Sequence, residues 1–182
     1  MQHGTSYKFN ESKFETRLLT GFLCSALMVA SMNGHTNTVA KLLEYGADVG
    51  LLDMHGTSCL FEAARNGHEE TVALLQKHGA TLGMNDGQAA SRLCQAVFDG
   101  DMVLLKRLLE AKINVNAADY DKRTAAHIAA AEGNLVALKL LVKFGATVLR
   151  CRDRWNNSVE EEARNSKSAE ELLEYLNQLH DH

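Results

Sequence analysis

The sequence predicts an all-α chain of repeated helix pairs joined by short turns, and three observations predict it. First, Gly34, Gly67, Gly100 and Gly133 follow one another at intervals of 33 residues. Second, the same interval of 33 carries Ala30 to Ala63, Ala96 and Ala129, Val39 to Val72, Leu105 and Leu138, and Leu42 to Leu75, Leu108 and Leu141. Third, Asp53, Asp86 and Asp119 fall in the same register ahead of each apolar stretch. Agreement at so many positions over four cycles marks a stack of similar units, each covering the apolar face of its neighbour.

The elements follow in order. Residues 1–20 read as a terminal segment: Ser12 and Glu15 form a capping-box pattern ahead of Phe14, Leu18 and Leu19, so a short amphipathic helix is expected to lid the stack. Repeats are then expected over residues 21–52, 53–85, 86–118 and 119–152, with a capping repeat and tail over 153–182. The second cycle shows the physics of each. Asp53 and Gly56 suit the ends of a tight turn, because an aspartate side chain accepts from nearby amides and glycine tolerates a left-handed backbone. That turn is a β-turn finger. Ser58 caps a helix with Leu60, Ala63 and Ala64 on its buried side, and Gly67 ends it. A second helix carries Val72, Leu74 and Leu75 inward and stops at Gly79.

In the last unit the spacing slips, since Asp153 lies 34 residues after Asp119, and Lys167 takes the place of the loop glycine. Glu161 follows Ser158 by three and Glu171 follows Ser168 by three, two further capping-box patterns suited to helices with no neighbour beyond them.

These residues resemble the ankyrin-repeat family over about residues 20 to 180. The family pattern D-x-x-G-x-T-P-L-H-x-A-A-x-x-G-H is matched best by Asp53 to His68 and by Asp119 to Asn134. Its Thr-Pro-Leu-His tetrad stands as Ser25-Ala26-Leu27-Met28, Ser58-Cys59-Leu60-Phe61, Ser91-Arg92-Leu93-Cys94, Thr124-Ala125-Ala126-His127 and Ser158-Val159-Glu160-Glu161. Every copy keeps a hydroxyl at the capping position and none keeps proline, which is absent from the whole chain. The resemblance implies an ankyrin-repeat α-solenoid of helix pairs with short β-turn fingers. It also implies that His127 is a structural group bonded to the capping hydroxyl and nearby backbone. "DYDKRTAAHIAAAEGN" and "RDRWNNS" resemble, more narrowly, the ankyrin tails of glutaminase- and asparaginase-type amidohydrolases, roughly over residues 90 to 160.

Enzymatic chemistry finds little support. No serine is followed by lysine three places later, as the glutaminase S-x-x-K motif requires, and the asparaginase threonine motifs are missing. There is no P-loop, no G-x-G-x-x-G and no G-x-S-x-G nucleophile elbow. No catalytic residue, metal site or cofactor is therefore expected. His180 and His182 lack a third ligand, and Cys24, Cys59, Cys94 and Cys151 contain no C-x-x-C pair. A formal charge of −4 gives no general attraction to nucleic acid or anionic lipid, and no apolar run is long enough to span a bilayer. A cytoplasmic or nuclear monomer is expected.

Function must then lie in residues that the scaffold leaves free. In the family these are the finger positions and the two positions before the loop glycine, lining the concave face. They include Met54, Arg65, Phe98, Tyr120, Arg123, Arg154 and Trp155, with Asn85, Gln88 and Ala90 as the finger positions of the third repeat. Large apolar and arginine side chains without a core position suit a groove for a protein or peptide. The expected function is a non-catalytic interaction scaffold. The competing reading is an assembly or regulatory tail of a glutaminase- or asparaginase-type enzyme.

Overall fold

The computed structural model describes residues 26–180, so the expected lid helix around Ser12, and Ser25, Cys24 and His182, lie outside the described residues. The chain divides into two compact units, residues 1–81 and 82–182. Among the described residues the secondary structure is helical, apart from three isolated antiparallel bridges.

The first unit contains α1, running through residues 26–32, then α2 (Thr36–Glu44), α3 (Cys59–Asn66) and α4 (Glu69–Lys77). Small residues sit where helices meet: Ala30, Ala63 and Ala64 are buried beside Leu27, Leu60 and Phe61. The turn after α1 needs glycine twice over. Gly34 has φ +69, and a Cβ there would collide with the ring of His68, whose Nε2 hydrogen-bonds the Met32 carbonyl at 2.9 Å. On α4 the buried positions are Thr71 and Leu75, whereas Val72 and Leu74, expected inward, are half-buried. The Thr71 hydroxyl meets that of Thr36 at 2.8 Å, so this seam holds a polar pair where an apolar contact was expected.

The second unit contains α5 (Asp86–Phe98), α6 (Met102–Glu110), α7 (Ala125–Ala131), α8 (Leu135–Lys143), α9 (Val159–Arg164) and α10 (Ala169–His180). Helix α7 is central and packs on α5, α8 and α9. Its buried face is almost entirely alanine, Ala125, Ala126, Ala129 and Ala130, which lets the neighbouring backbones come close. Leu105, Leu108, Leu138 and Leu141 fill the outer layer. Asn116 clips two successive turns: its Nδ2 donates to the Gly145 carbonyl at 3.1 Å, and its Oδ1 accepts from Thr147 N–H at 2.7 Å.

Among the described residues fingers form at three places. Leu52 bridges Ser58, Ala118 bridges Thr124, and Arg152 bridges Ser158. In each finger one aspartate oxygen accepts two backbone N–H groups: Asp53 from His55 and Thr57, Asp119 from Asp121 and Arg123, Asp153 from Trp155 and Asn157, all at 2.8 to 2.9 Å. The residue three after the aspartate is left-handed, Gly56 at φ 73, Lys122 at 59 and Asn156 at 70.

The third repeat departs from this plan. Residues 85–91 form no finger; they begin α5. Asn85 Oδ1 accepts from Gln88 N–H at 2.9 Å and Gln88 Oε1 accepts from Asn85 N–H at 3.1 Å, a reciprocal capping box. Asp86, expected to start a turn, is instead the first helical residue, and its carboxylate accepts from Asn114 Nδ2 at 2.9 Å. Ser91, expected as the cap, lies mid-helix, and Ala90 is buried rather than at a finger tip. Two local forces act together here. The box satisfies amides that a finger would leave to Asp86, and Ala89, where a left-handed residue is needed, is the best helix former.

The last unit keeps its expected cap. Ser158 Oγ accepts from Glu161 N–H at 3.2 Å, and Ser158 N–H donates to Glu161 Oε2 at 2.6 Å. That bond holds the Glu161 carboxyl below its ordinary pKa, with the Ser158 hydroxyl next in effect. The turn after α9 closes at Asn165 with φ −89, so the left-handed step of the other loops is absent where Lys167 replaces glycine.

Candidate functional site

Tyr120 and Arg154 occupy equivalent places, each the first residue after its finger aspartate, and Trp155 follows Arg154. With Asp119 and Asp153 bent back onto their own amides, the next side chains point outward. Tyr120 is 87% and Trp155 62% exposed, far more than side chains of their size reach inside a core. The Arg154 backbone N–H donates to the Asp121 carbonyl at 2.8 Å, its guanidinium Nη1 donates to Asp121 Oδ1 at 3.3 Å, and its Cζ lies 5.3 Å from the centroid of the Tyr120 ring. A backbone rung, an ion pair and a cation–π contact thus fix one arginine between two fingers. The cluster is an aromatic and guanidinium surface whose geometry exists before anything binds.

Asp121, which completes it, is one of the finger positions that the repeat pattern leaves free. Its signal was its place two residues after Asp119, where Trp155 stands two after Asp153.

Arg123 is half-buried. Its N–H serves Asp119, and its Nε is buried without a hydrogen-bond partner among the described residues. Phe98 closes α5 and is 65% exposed. Met54 and Arg65 belong to the first unit. Met54 follows Asp53 and is 92% exposed, while Arg65 is exposed on α3 with Glu62 Oε1 3.7 Å from its Nη1. The structure therefore brings together Tyr120, Asp121 and Arg154, with Trp155 next in the chain.

His127 is fully buried. Thr124 donates to its Nδ1 from both the backbone N–H, at 3.2 Å, and the hydroxyl, at 3.0 Å, which leaves the proton on Nε2. Burial pushes the imidazole pKa below its ordinary value, partly offset by Asp153 and by the Asn157 backbone of the next finger. Nε2–H meets no acceptor at hydrogen-bonding geometry among the described residues. A neutral ring enclosed between two fingers is a structural group. The Cys94 thiol is likewise inert: burial first, then Asp119, push its pKa up to about 11, against a smaller opposing effect of Arg123. Cys59, Cys94 and Cys151 are free thiols.

Among the described residues no group of three or more His, Cys, Asp or Glu side chains could hold a metal ion, and no helix is long and apolar enough to cross a membrane.

Two family models match the chain, ankyrin repeats in three copies over residues 8–86 and ankyrin repeats in many copies over residues 93–157. The potassium channel GORK of Arabidopsis thaliana is 49% identical over 72 residues, 38% of this chain and 9% of the channel. The liver isoform of mitochondrial glutaminase from Rattus norvegicus is 33% identical over 77 residues, 42% of this chain and 13% of that protein. Notch-regulated ankyrin repeat-containing protein B of Danio rerio is 44% identical over 54 residues, 29% of this chain and 49% of that protein. The chain thus spans about half or less of the length of each of these relatives.

Proposed function

Because the chain belongs to the ankyrin-repeat family, we propose that it works by contact rather than catalysis, holding a peptide or protein partner on its finger and inner-helix face. The observation that carries this reading is the preformed cluster of Tyr120, Asp121 and Arg154 beside exposed Trp155. An arginine already paired and stacked has little side-chain entropy left to lose on binding, so the partner meets an ordered surface. Aromatic and arginine side chains of this kind supply most of the binding energy at protein interfaces. Met54 and Arg65 are the exposed candidates of the first unit, and Phe98 is an exposed candidate of the second. The proposed setting is the cytoplasm or nucleus, with the chain monomeric.

The test begins with a partner isolated from cell extract and continues by calorimetry. Trp155→Ala and Tyr120→Ala are each expected to weaken binding by about 1 to 3 kcal/mol while leaving thermal unfolding within a few degrees. Unchanged affinity in both variants would remove the finger face as the binding site.

A second reading has its own observation, the match to liver glutaminase over 77 residues. On that reading the repeats are an assembly or regulatory tail of a larger amidohydrolase. Light scattering on the chain alone distinguishes the two, since self-association at micromolar concentration supports the tail and a monomer supports the binding module.

A further inference from the structure

In the second unit the missing third finger leaves a gap beside a pair of fingers that is joined by a backbone rung. One repeat later the rung is explicit: the N–H of the first residue after the aspartate, Arg154, donates to the carbonyl of the second residue after the preceding aspartate, Asp121. Moved back by one repeat, the donor is Tyr120 N–H and the acceptor would be the carbonyl of Gln88. Gln88 is instead in the first turn of α5, where its carbonyl faces along the helix. Tyr120 N–H accordingly has no hydrogen-bond partner among the described residues, on a residue that is 87% exposed. An unpaired amide on an exposed residue is a ready donor for an extended chain.

Two cations beside it stand outside any ion pair among the described residues. Asp119 is occupied by two backbone N–H groups and Asp121 by Arg154. Lys122 and Arg123 have no acidic partner within ion-pair distance among the described residues, and the Nε of Arg123 is buried without a hydrogen bond. An acidic occupant would supply what both lack.

We infer that the place of the absent third finger is a docking site for a short, extended, acidic segment of a partner protein, whose backbone carbonyl accepts from Tyr120 N–H while a carboxylate meets Arg123. The site rests on the reading that the finger face binds protein, and adds the chemistry and register of what is bound.

Amide exchange of the full chain by NMR reads the first half. Tyr120 N–H is expected to exchange at least about tenfold faster than Arg154 N–H, because only the latter is bonded. An end-capped Glu-Val-Glu-Val-Glu peptide at millimolar concentration is expected to shift the Tyr120 and Arg123 amides and slow exchange at Tyr120, and Lys-Val-Lys-Val-Lys to do neither. Replacing residues 85–91 with residues 52–58 of the same chain installs a finger in the gap. That graft is expected to abolish the acidic peptide's effect while keeping Arg154 N–H protected. Should the graft unfold, Arg123→Gln serves instead, with an expected loss of about fivefold in peptide affinity.

Protection of Tyr120 N–H in the free chain, equal response to both peptides, or a response that survives the graft or the Arg123 change would each overturn the site. A stronger response to a single-stranded oligonucleotide would overturn it in favour of nucleic acid. If Trp155→Ala weakens the natural partner and the graft does not, the finger face stands and this site falls.

Discussion

Residues 85–98 and 118–131 occupy the same register, one repeat apart, and take different forms. The first is a cap residue followed by a 13-residue helix; the second is a finger followed by a helix of 7 residues. Both place an aspartate at the start and an apolar helix at the end. They differ in which side chain captures the free amides. At 119 the aspartate reaches forward to two N–H groups and Lys122 accepts a left-handed backbone. At 85 the asparagine and Gln88 capture each other's amides, and the helix starts one residue later. A repeat's register fixes where a residue sits, and the local competition for backbone donors fixes what the chain does there.

Substitutions can break or sharpen this contrast. The largest effect is expected in the shared core. Leu93 is fully buried on α5 where the next repeat has Ala126, so Leu93→Ala should lower stability by about 2 to 5 kcal/mol in urea unfolding. A loss under about 1 kcal/mol would mean that α5 is not packed on α7 as described. Next, Asp119→Ala should cost about 1 to 3 kcal/mol through two lost charge-assisted bonds, whereas Asp86→Ala should cost a few tenths. Equal costs would say that residue 86 caps a finger in solution. Smaller still is a reversal of sign. Lys122→Gly should stabilise by about 1 kcal/mol by relieving a left-handed lysine, and Ala89→Gly should destabilise by about the same amount within a helix.

The smallest effect is a slope with pH. The folded pKa of His127 lies below the ordinary imidazole value of 6.5, so between the two values the unfolded chain binds more protons. Its contribution is complete above pH 6.5 and is lost as pH falls toward the folded pKa. Repeat four should therefore soften in mild acid while repeat three, with Cys94 at that place, does not. His127→Gln should flatten the pH dependence of thermal unfolding, and an unchanged slope would assign it to other groups.

The period of 33 made the helix pairs legible, because burial in a stack imposes the same small and large apolar residues at each step. Asp53, Asp119 and Asp153 were readable as finger caps, and Ser58 and Ser158 as helix caps, because each acts on amides within four residues. Residues 85–88 were readable too, as an Asn-x-x-Gln box, but agreement of Asp86 with the other aspartates concealed it. Burial of Thr71 in preference to Val72 could not be foreseen, since it depends on Thr36 meeting it from another helix. The same holds for Arg154. Its setting depends on Asp121, 33 residues earlier, and no local pattern announces that pair.

Helix α5 caps its own start, where Asn85 and Gln88 capture each other's amides, and Gln95 Nε2 donates to Asp99 Oδ1 at 2.8 Å along its last turn. A segment that satisfies itself over so short a span orders early, before contacts distant in sequence have been made. In the second unit, then, the stretch without a finger is expected to order before the fingered repeats, with higher φ-values for substitutions in α5 than in α9 in refolding kinetics.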